Sequence, residues 1–134
     1  MIPEQCLVGI LYSSTKLSVS VTDRPSSKFG YQVRVSCSIR DDIELLEAIK
    51  RTLLQSEVES VIKKKESKSY DKPVLKITGI DNIHKLVSKV CNQPPTTPCL
   101  PRWENFSLII ELIRDKKHYT EKGFDQILLL KELI

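Results

Sequence analysis

The first 40 residues show the apolar pattern of a helix and then that of two strands. Leu7, Ile10 and Leu11 repeat with the spacing of an amphipathic helix. From Lys16 to Asp23, and again from Gly30 to Arg40, apolar and polar residues alternate strictly, which is typical of half-buried strands. The segment RPSSKFG between them is rich in turn-forming residues. The pattern therefore predicts a helix followed by a β-hairpin.

The order helix, strand, strand recurs after residue 40. Asp41 is a candidate cap for a helix that ends near Gln55. A second hairpin is predicted from strands at about Val58–Lys65 and Pro73–Thr78. Positions 61 and 62 are both apolar, so the pattern leaves open which side chains of the third strand face inward. The predicted buried stripe of the helix consists of Ile43, Leu46, Ile49, Leu53 and Leu54.

Three further helices are predicted in the C-terminal part of the chain. They cover about Asp81–Val90, Trp103–Lys116 and a last segment that begins at Thr120, and a proline-rich connector (residues 91–101) separates the first from the second. The predicted fold class is α+β, with the order α-β-β-α-β-β-α-α-α. The four strands form one antiparallel sheet with helices on one face, in a single domain that spans residues 1–134.

Charge adds a functional hint to this architecture. The net charge is +4, from 21 basic and 17 acidic residues. Basic residues concentrate in the predicted strands and turns, whereas acidic residues concentrate in the predicted helices. A basic sheet face is typical of a protein that binds nucleic acid, although a solvated antiparallel sheet shows the same pattern.

Other features exclude several classes of protein. No apolar run is long enough to span a bilayer, and the N-terminal residues lack the pattern of a secretory signal, so a cytoplasmic protein without a membrane partner is expected. The four cysteines form no Cys-x-x-Cys pair and have no histidine at ligand spacing. We therefore expect no zinc site and no cofactor.

The first helix carries a second face of small residues. Cys6, Gly9 and Ser13 lie on successive turns, away from the apolar stripe. Glycine inside a helix costs about 1 kcal/mol relative to alanine, so it usually has a packing reason. Gly9 therefore allows close approach either by a second copy of the helix or by another helix of the same chain.

The segment LVGILYSSTKLSVSV (residues 7–21) resembles the signature of the LAGLIDADG homing endonucleases. Leu7, Gly9, Ile10 and Leu11 match the motif by identity or class, and the following strand fits its usual continuation. The α-β-β-α-β-β-α order, the segment VLKITGIDNIHKLV and the closing HYTEKGFDQILLLKELI are also similar to the family, so the resemblance covers nearly the whole chain.

This resemblance implies a DNA-binding homodimer. One-motif members of the family pair through their signature helices, which places Cys6, Gly9 and Ser13 in a dimer interface. Their four strands form a saddle that reads the major groove, here of a pseudo-palindromic duplex. The residues that would face DNA are Lys16, Ser18, Ser20, Thr22, Arg24, Lys28, Gln32, Arg34, Ser36, Ser38, Arg40, Lys63, Lys64, Lys65 and Lys76. For the alternating strands, this assignment agrees with the outward face deduced from the pattern alone.

The chain departs from the family at the positions that carry its chemistry. The last acid of the motif, which binds the divalent cation for phosphodiester hydrolysis, is Ser14 here, and the earlier aspartate is Tyr12. A serine hydroxyl replaces a carboxylate poorly in a Mg²⁺ site. The motif glycine is Thr15 here, and the polar residue that often closes the second strand in the family is Ile39. No lysine occupies the connector, where the family usually has a catalytic one, and Arg102 is the nearest basic residue.

The sequence therefore predicts a nuclease-inactive, homodimeric, sequence-specific DNA-binding protein, for example a transcriptional regulator. An active metal-dependent endonuclease would have to take its acid from Asp23 or Glu4. Asp23 lies about 30 Å along an extended strand from the helix end, which argues against it. An RNA-binding splicing factor and a module that binds only proteins are also compatible with the pattern.

Overall fold

The computed structural model describes residues 2–23, 31–63, 72–91 and 101–134. The predicted turn at 24–30 and the residues between 92 and 100 lie outside these ranges. No helix in the described ranges has the length and apolar character of a membrane span. The elements are α1 (Glu4–Ser14), β1 (Lys16–Asp23), β2 (Tyr31–Arg40), α2 (Ile43–Gln55), β3 (Val61–Lys63), β4 (Val74–Thr78), α3 (Ile80–Cys91), α4 (Pro101–Arg114), a short 3-10 helix (Lys117–Tyr119) and α5 (Glu121–Lys131).

The four strands form one antiparallel sheet in the order β1-β2-β4-β3. β1 pairs with β2 along its whole length, from Lys16 opposite Ser38 to Asp23 opposite Tyr31. On its other side β2 pairs with β4, which in turn pairs with the short edge strand β3. This architecture confirms the predicted α+β fold class and four-stranded sheet.

The hydrophobic core lies between one face of the sheet and the helices. Because successive strand side chains point to opposite faces, each strand contributes every second residue to this core. The helices contribute stripes at helical spacing, and Trp103 and Phe106 of α4 are fully buried. The core residues of the first helix and of the central strands are Leu7, Leu11, Leu17, Val19, Cys37, Ile39, Leu75 and Ile77.

Two expectations for α2 were wrong. Asp42, not Asp41, occupies the N-cap position, and its side chain makes no capping bond; Asp41 instead accepts a hydrogen bond from the Asp42 N–H at 2.7 Å. Leu54 is 58% exposed, because it lies about 100° around the helix from the buried Leu53. Thr52 is buried instead, and its hydroxyl donates to the carbonyl of Ala48 at 2.8 Å.

The third strand begins at Val61 rather than at the predicted Val58, and pairing with β4 settles which of its described residues face the core. Ile62 lies opposite Leu75 on the core face, whereas Val61 lies opposite Lys76 on the other face. Val74 has the outward direction expected for it but is fully buried between Arg40 and Lys63 of the neighbouring strands. Lys64 and Lys65 lie outside the described residues.

The start of α5 depends on one glycine. Thr120 caps the helix, since its hydroxyl accepts from the N–H of Gly123 at 3.1 Å and donates to the carbonyl of Lys117 at 2.6 Å. A Cβ at Gly123 would overlap the carbonyl oxygen of Lys117 and would lie 2.8 Å from the Thr120 hydroxyl. The 3-10 helix and α5 can pack this closely only with glycine at this position.

We expect Gly123→Ala to lower the free energy of unfolding by about 1–3 kcal/mol, because the backbone must shift to admit the methyl group. Chemical denaturation followed by circular dichroism measures this change. Gly9→Ala is the control, since a Cβ at Gly9 meets no described atom within 4 Å. A Gly123→Ala protein as stable as the parent would contradict this packing.

Candidate nucleic-acid interface

The sheet surface opposite the helices carries polar side chains in ordered rows. The registers of the strand pairs place Lys16, Ser38, Lys76 and Val61 side by side across all four strands. We call this surface the polar sheet face; its described members are Lys16, Ser18, Ser20, Thr22, Gln32, Arg34, Ser36, Ser38, Arg40, Val61, Lys63, Val74, Lys76 and Thr78. The outward direction predicted for the strand residues is therefore confirmed.

All charged residues of the polar sheet face that the structure describes are basic. Its charged members are Lys16, Arg34, Arg40, Lys63 and Lys76, and no described member is acidic. Lys16, Arg34, Arg40 and Lys63 are exposed, and Lys76 is half-buried. Such a surface attracts polyanions. Arg24, Lys28, Lys64 and Lys65, which were also predicted to face DNA, lie outside the described residues.

The β1–β2 hairpin extends this face beyond the end of β4. Thr22 pairs with Gln32 and Ser20 pairs with Arg34 in a region where the structure shows only these two strands side by side. A two-stranded antiparallel ribbon has the width that the major groove of B-form DNA admits. Gln32 and Arg34 therefore lie on the two-stranded part of the sheet, beyond the residues of β2 that pair with β4.

The small-residue face of α1 lies open on the surface. Cys6, Gly9 and Ser13 are all exposed, and the Ser13 hydroxyl donates to the carbonyl of Gly9 at 2.8 Å. Outside the adjoining stretch of α1 itself, no described atom lies within 4 Å of a Cβ built on Gly9. In the described part of the chain, then, Gly9 does not serve to pack α1 against a helix of its own subunit.

The C-terminal end of α1 is held by two residues from α4. The Arg102 guanidinium donates from Nη1 to the carbonyl of Thr15 at 2.9 Å and from Nη2 to the carbonyl of Tyr12 at 2.6 Å. The indole Nε1 of Trp103 donates to the same Tyr12 carbonyl at 3.2 Å. Thr15 is buried, and its hydroxyl has no partner among the described residues. These contacts satisfy carbonyls that a helix end otherwise leaves unpaired.

This helix end does not fit a divalent cation. Hard cations such as Mg²⁺ require several oxygen ligands, usually including carboxylates. The side chains at positions 13–15 are hydroxyls, and the carbonyls of Tyr12 and Thr15 already accept bonds from Arg102. No group of three or more His, Cys, Asp or Glu side chains in the described ranges could hold a metal ion.

The sequence pattern did not single out Arg102 as a functional residue. Its contacts with α1 join residues that are 87 and 90 positions apart in the chain, so no local spacing reveals them. The sequence offers two signals, an Arg-Trp pair at the start of a predicted helix and the position of Arg102 as the basic residue nearest to the connector. Arg102 also lies near Cys37, where burial raises the pKa of the thiol to about 12 although the guanidinium acts to lower it.

Comparison with solved structures identifies the fold. The chain is similar to the homing endonuclease I-TnaI, with a TM-score of 0.82 and 22% identity over 97% of this chain and 86% of that one. It is also similar to the I-LtrWI LAGLIDADG homing endonuclease bound to target DNA, with a TM-score of 0.81 and 24% identity over 99% of this chain and 44% of that one. These likenesses show the fold of the LAGLIDADG homing endonucleases, as predicted.

A third similar structure is I-SmaMI bound to its uncleaved DNA target in the presence of calcium ions, with a TM-score of 0.82 and 21% identity. The match covers 98% of this chain and 44% of that one. The chain thus spans most of I-TnaI but less than half of the two enzymes seen with DNA. No protein-family model and no curated protein sequence matches the chain.

Proposed function

We propose that the chain is a nuclease-inactive, sequence-specific double-stranded DNA-binding protein that acts as a homodimer. The observation that carries this proposal is the polar sheet face, which has five basic residues and no acidic one in its described part. Structures with the same fold have been solved with target DNA bound. Binding without cleavage suits a regulatory role such as control of transcription.

The spacing of the rows suits the reading of base pairs. Alternate side chains along an antiparallel strand are about 6.8 Å apart, which is about twice the 3.4 Å spacing of bases along a DNA strand. Gln32, Arg34, Arg40 and Lys76 carry the donors that recognise bases in the major groove. The short hydroxyl side chains of β1 would contact the groove closely or through water.

Basic residues at the margins of the face would hold the DNA backbone. Lys16 is exposed at the start of β1, and Lys63 is exposed on the edge strand β3. Lys28, Lys64 and Lys65 complete the set that we propose for phosphate contacts. Contacts of this kind fix the register of a protein on the duplex but do not select its sequence.

The exposed face of α1 is the proposed dimer interface. Gly9 brings two helix backbones close together because no side chain separates them, and Cys6 and Ser13 extend this small surface by one turn in each direction. Since α1 leads directly into β1, pairing two copies of α1 joins two polar sheet faces into a longer surface. A two-fold dimer then matches a pseudo-palindromic target.

The loss of nuclease activity is inferred from the end of α1. Ser14 offers a hydroxyl where a metal site needs a carboxylate, and Arg102 already holds the nearby carbonyls. Asp23 does not replace the acid, because it lies at the opposite end of β1, seven residues and about 24 Å from the first residue of that strand.

Selection of bound sequences from a random duplex library tests the proposal. We expect a palindromic consensus, and we expect the selected duplex to stay intact with Mg²⁺ or Mn²⁺. Specific cleavage would instead establish an active endonuclease, and tighter binding of structured RNA than of the selected duplex would favour a splicing factor. Binding without sequence preference or steep salt dependence would favour a module that binds proteins.

Arg34→Gln tests base recognition by the hairpin. We expect a loss of about 5- to 150-fold in affinity for the selected duplex and relaxed preference at one base pair in each half-site, because a bidentate contact is removed. Titration of the duplex and its single-site variants by fluorescence anisotropy measures both effects. The control is Arg51→Gln, an exposed arginine of α2 on the helix side. Equal losses in the two variants would contradict the assignment.

Gly9→Leu tests the dimer interface. A Cβ at Gly9 meets no described atom within 4 Å outside its own stretch of helix, and Gly9 is exposed, so the fold should persist while close approach of a second helix is blocked. We expect monomers in sedimentation velocity and a loss of at least tenfold in affinity for the palindromic duplex. Glu47→Leu, which adds a leucine to an exposed position of α2, should leave the dimer intact. A dimeric Gly9→Leu protein would place the interface elsewhere.

A further inference from the structure

Arg102 carries a fixed charge at the C-terminal end of α1, where the chain enters β1. Two hydrogen bonds to the carbonyls of Tyr12 and Thr15 orient its guanidinium. Its central carbon Cζ also lies 5.6 Å from the ring centroid of Trp103, which is within range for a cation–π contact. The side chain is half-buried. The guanidinium is therefore held in one place before any ligand binds.

The charge of Arg102 is not neutralised within the described part of the chain. No carboxylate in this part bonds to its guanidinium, and its two hydrogen bonds use two of five N–H donors. The helix end supplies only a partial negative charge of about half an elementary charge. The nearby Cys37 thiol stays neutral at physiological pH, since burial keeps its pKa at about 12. Spare donors and unbalanced charge make this a site for an anion.

We propose that Arg102 binds a phosphate of the DNA backbone near the centre of the bound site. The carbonyl of Thr15 that it holds belongs to the peptide bond to Lys16, the first residue of the polar sheet face. In the proposed dimer, two copies of α1 adjoin the symmetry axis, so two guanidinium groups lie near the middle of the duplex. This inference rests on the proposed DNA-binding function.

A prepositioned arginine suits this role for two reasons. Its planar guanidinium matches phosphate oxygens geometrically. It is already ordered by α1 and Trp103, so binding costs little side-chain entropy. A fixed guanidinium also supplies positive charge at the helix end without a divalent cation. The affinity of the protein for duplex DNA should therefore be unchanged by EDTA.

The salt dependence of DNA binding tests the assignment. Each phosphate contact contributes about 0.9 to the slope of log affinity against log salt concentration. Arg102→Gln should therefore reduce the slope by about 1.8 for the dimer, so that between 50 and 200 mM salt the wild-type protein loses about 12-fold more affinity than the variant. Arg102→Lys should keep most of the slope because it keeps the charge.

The control is Arg114→Gln, which removes an arginine whose Nη1 contacts Nε2 of His84 at 2.8 Å at the other end of α4. This variant should keep the wild-type slope. If Arg102 serves only to hold α1, then Arg102→Gln will lower the melting temperature without changing the slope, and that result would overturn the proposal.

Neutral methylphosphonate groups in the selected duplex give a second test, and its first part uses only the wild-type protein. Replacing one backbone phosphate at a time should weaken wild-type binding most at central positions, and Arg102→Gln should remove that central penalty. A scan without a central penalty would overturn the assignment even if the variant does not fold. If the wild-type protein does not bind duplex DNA at all, the proposed function fails and this inference fails with it.

Discussion

The attachment of α4 to the C-terminal end of α1 is the interaction on which the arrangement of the molecule depends. Arg102 and Trp103 hold the carbonyls of Tyr12 and Thr15, so that the end of α1 has one position relative to the core. One residue further on, the chain enters β1, which pairs along its whole length with β2. The same contacts therefore fix where the helix face and the sheet face stand relative to each other.

Strand alternation divides the sheet into two surfaces, the face that packs in the core and the polar sheet face. In β2 the fully buried Cys37 and Ile39 belong to the core, while Arg34 and Arg40 are exposed on the opposite face. A shift of one residue in register would exchange these sets, so burial of the apolar side chains also fixes where each basic group stands. Sheet stability and the proposed recognition of DNA therefore depend on the same register.

The parts of the fold that could be predicted are those with long, unambiguous patterns. β1 was predicted with its observed bounds because eight residues alternate without interruption. The third strand could not be resolved, since Val61 and Ile62 are both apolar and only pairing with β4 separates them. The contacts of Arg102 with α1 were missed because they join residues that are distant in sequence. For Gly9, the pattern indicated close packing but did not identify the partner.

In the function proposed for this chain, two copies bind one duplex and leave it intact. Native mass spectrometry of the protein with a duplex recovered by selection, after incubation with Mg²⁺, measures subunit number and DNA integrity together. We expect a complex of two subunits with one uncut duplex. A single subunit on the duplex, or a duplex cut at a defined site, would contradict it.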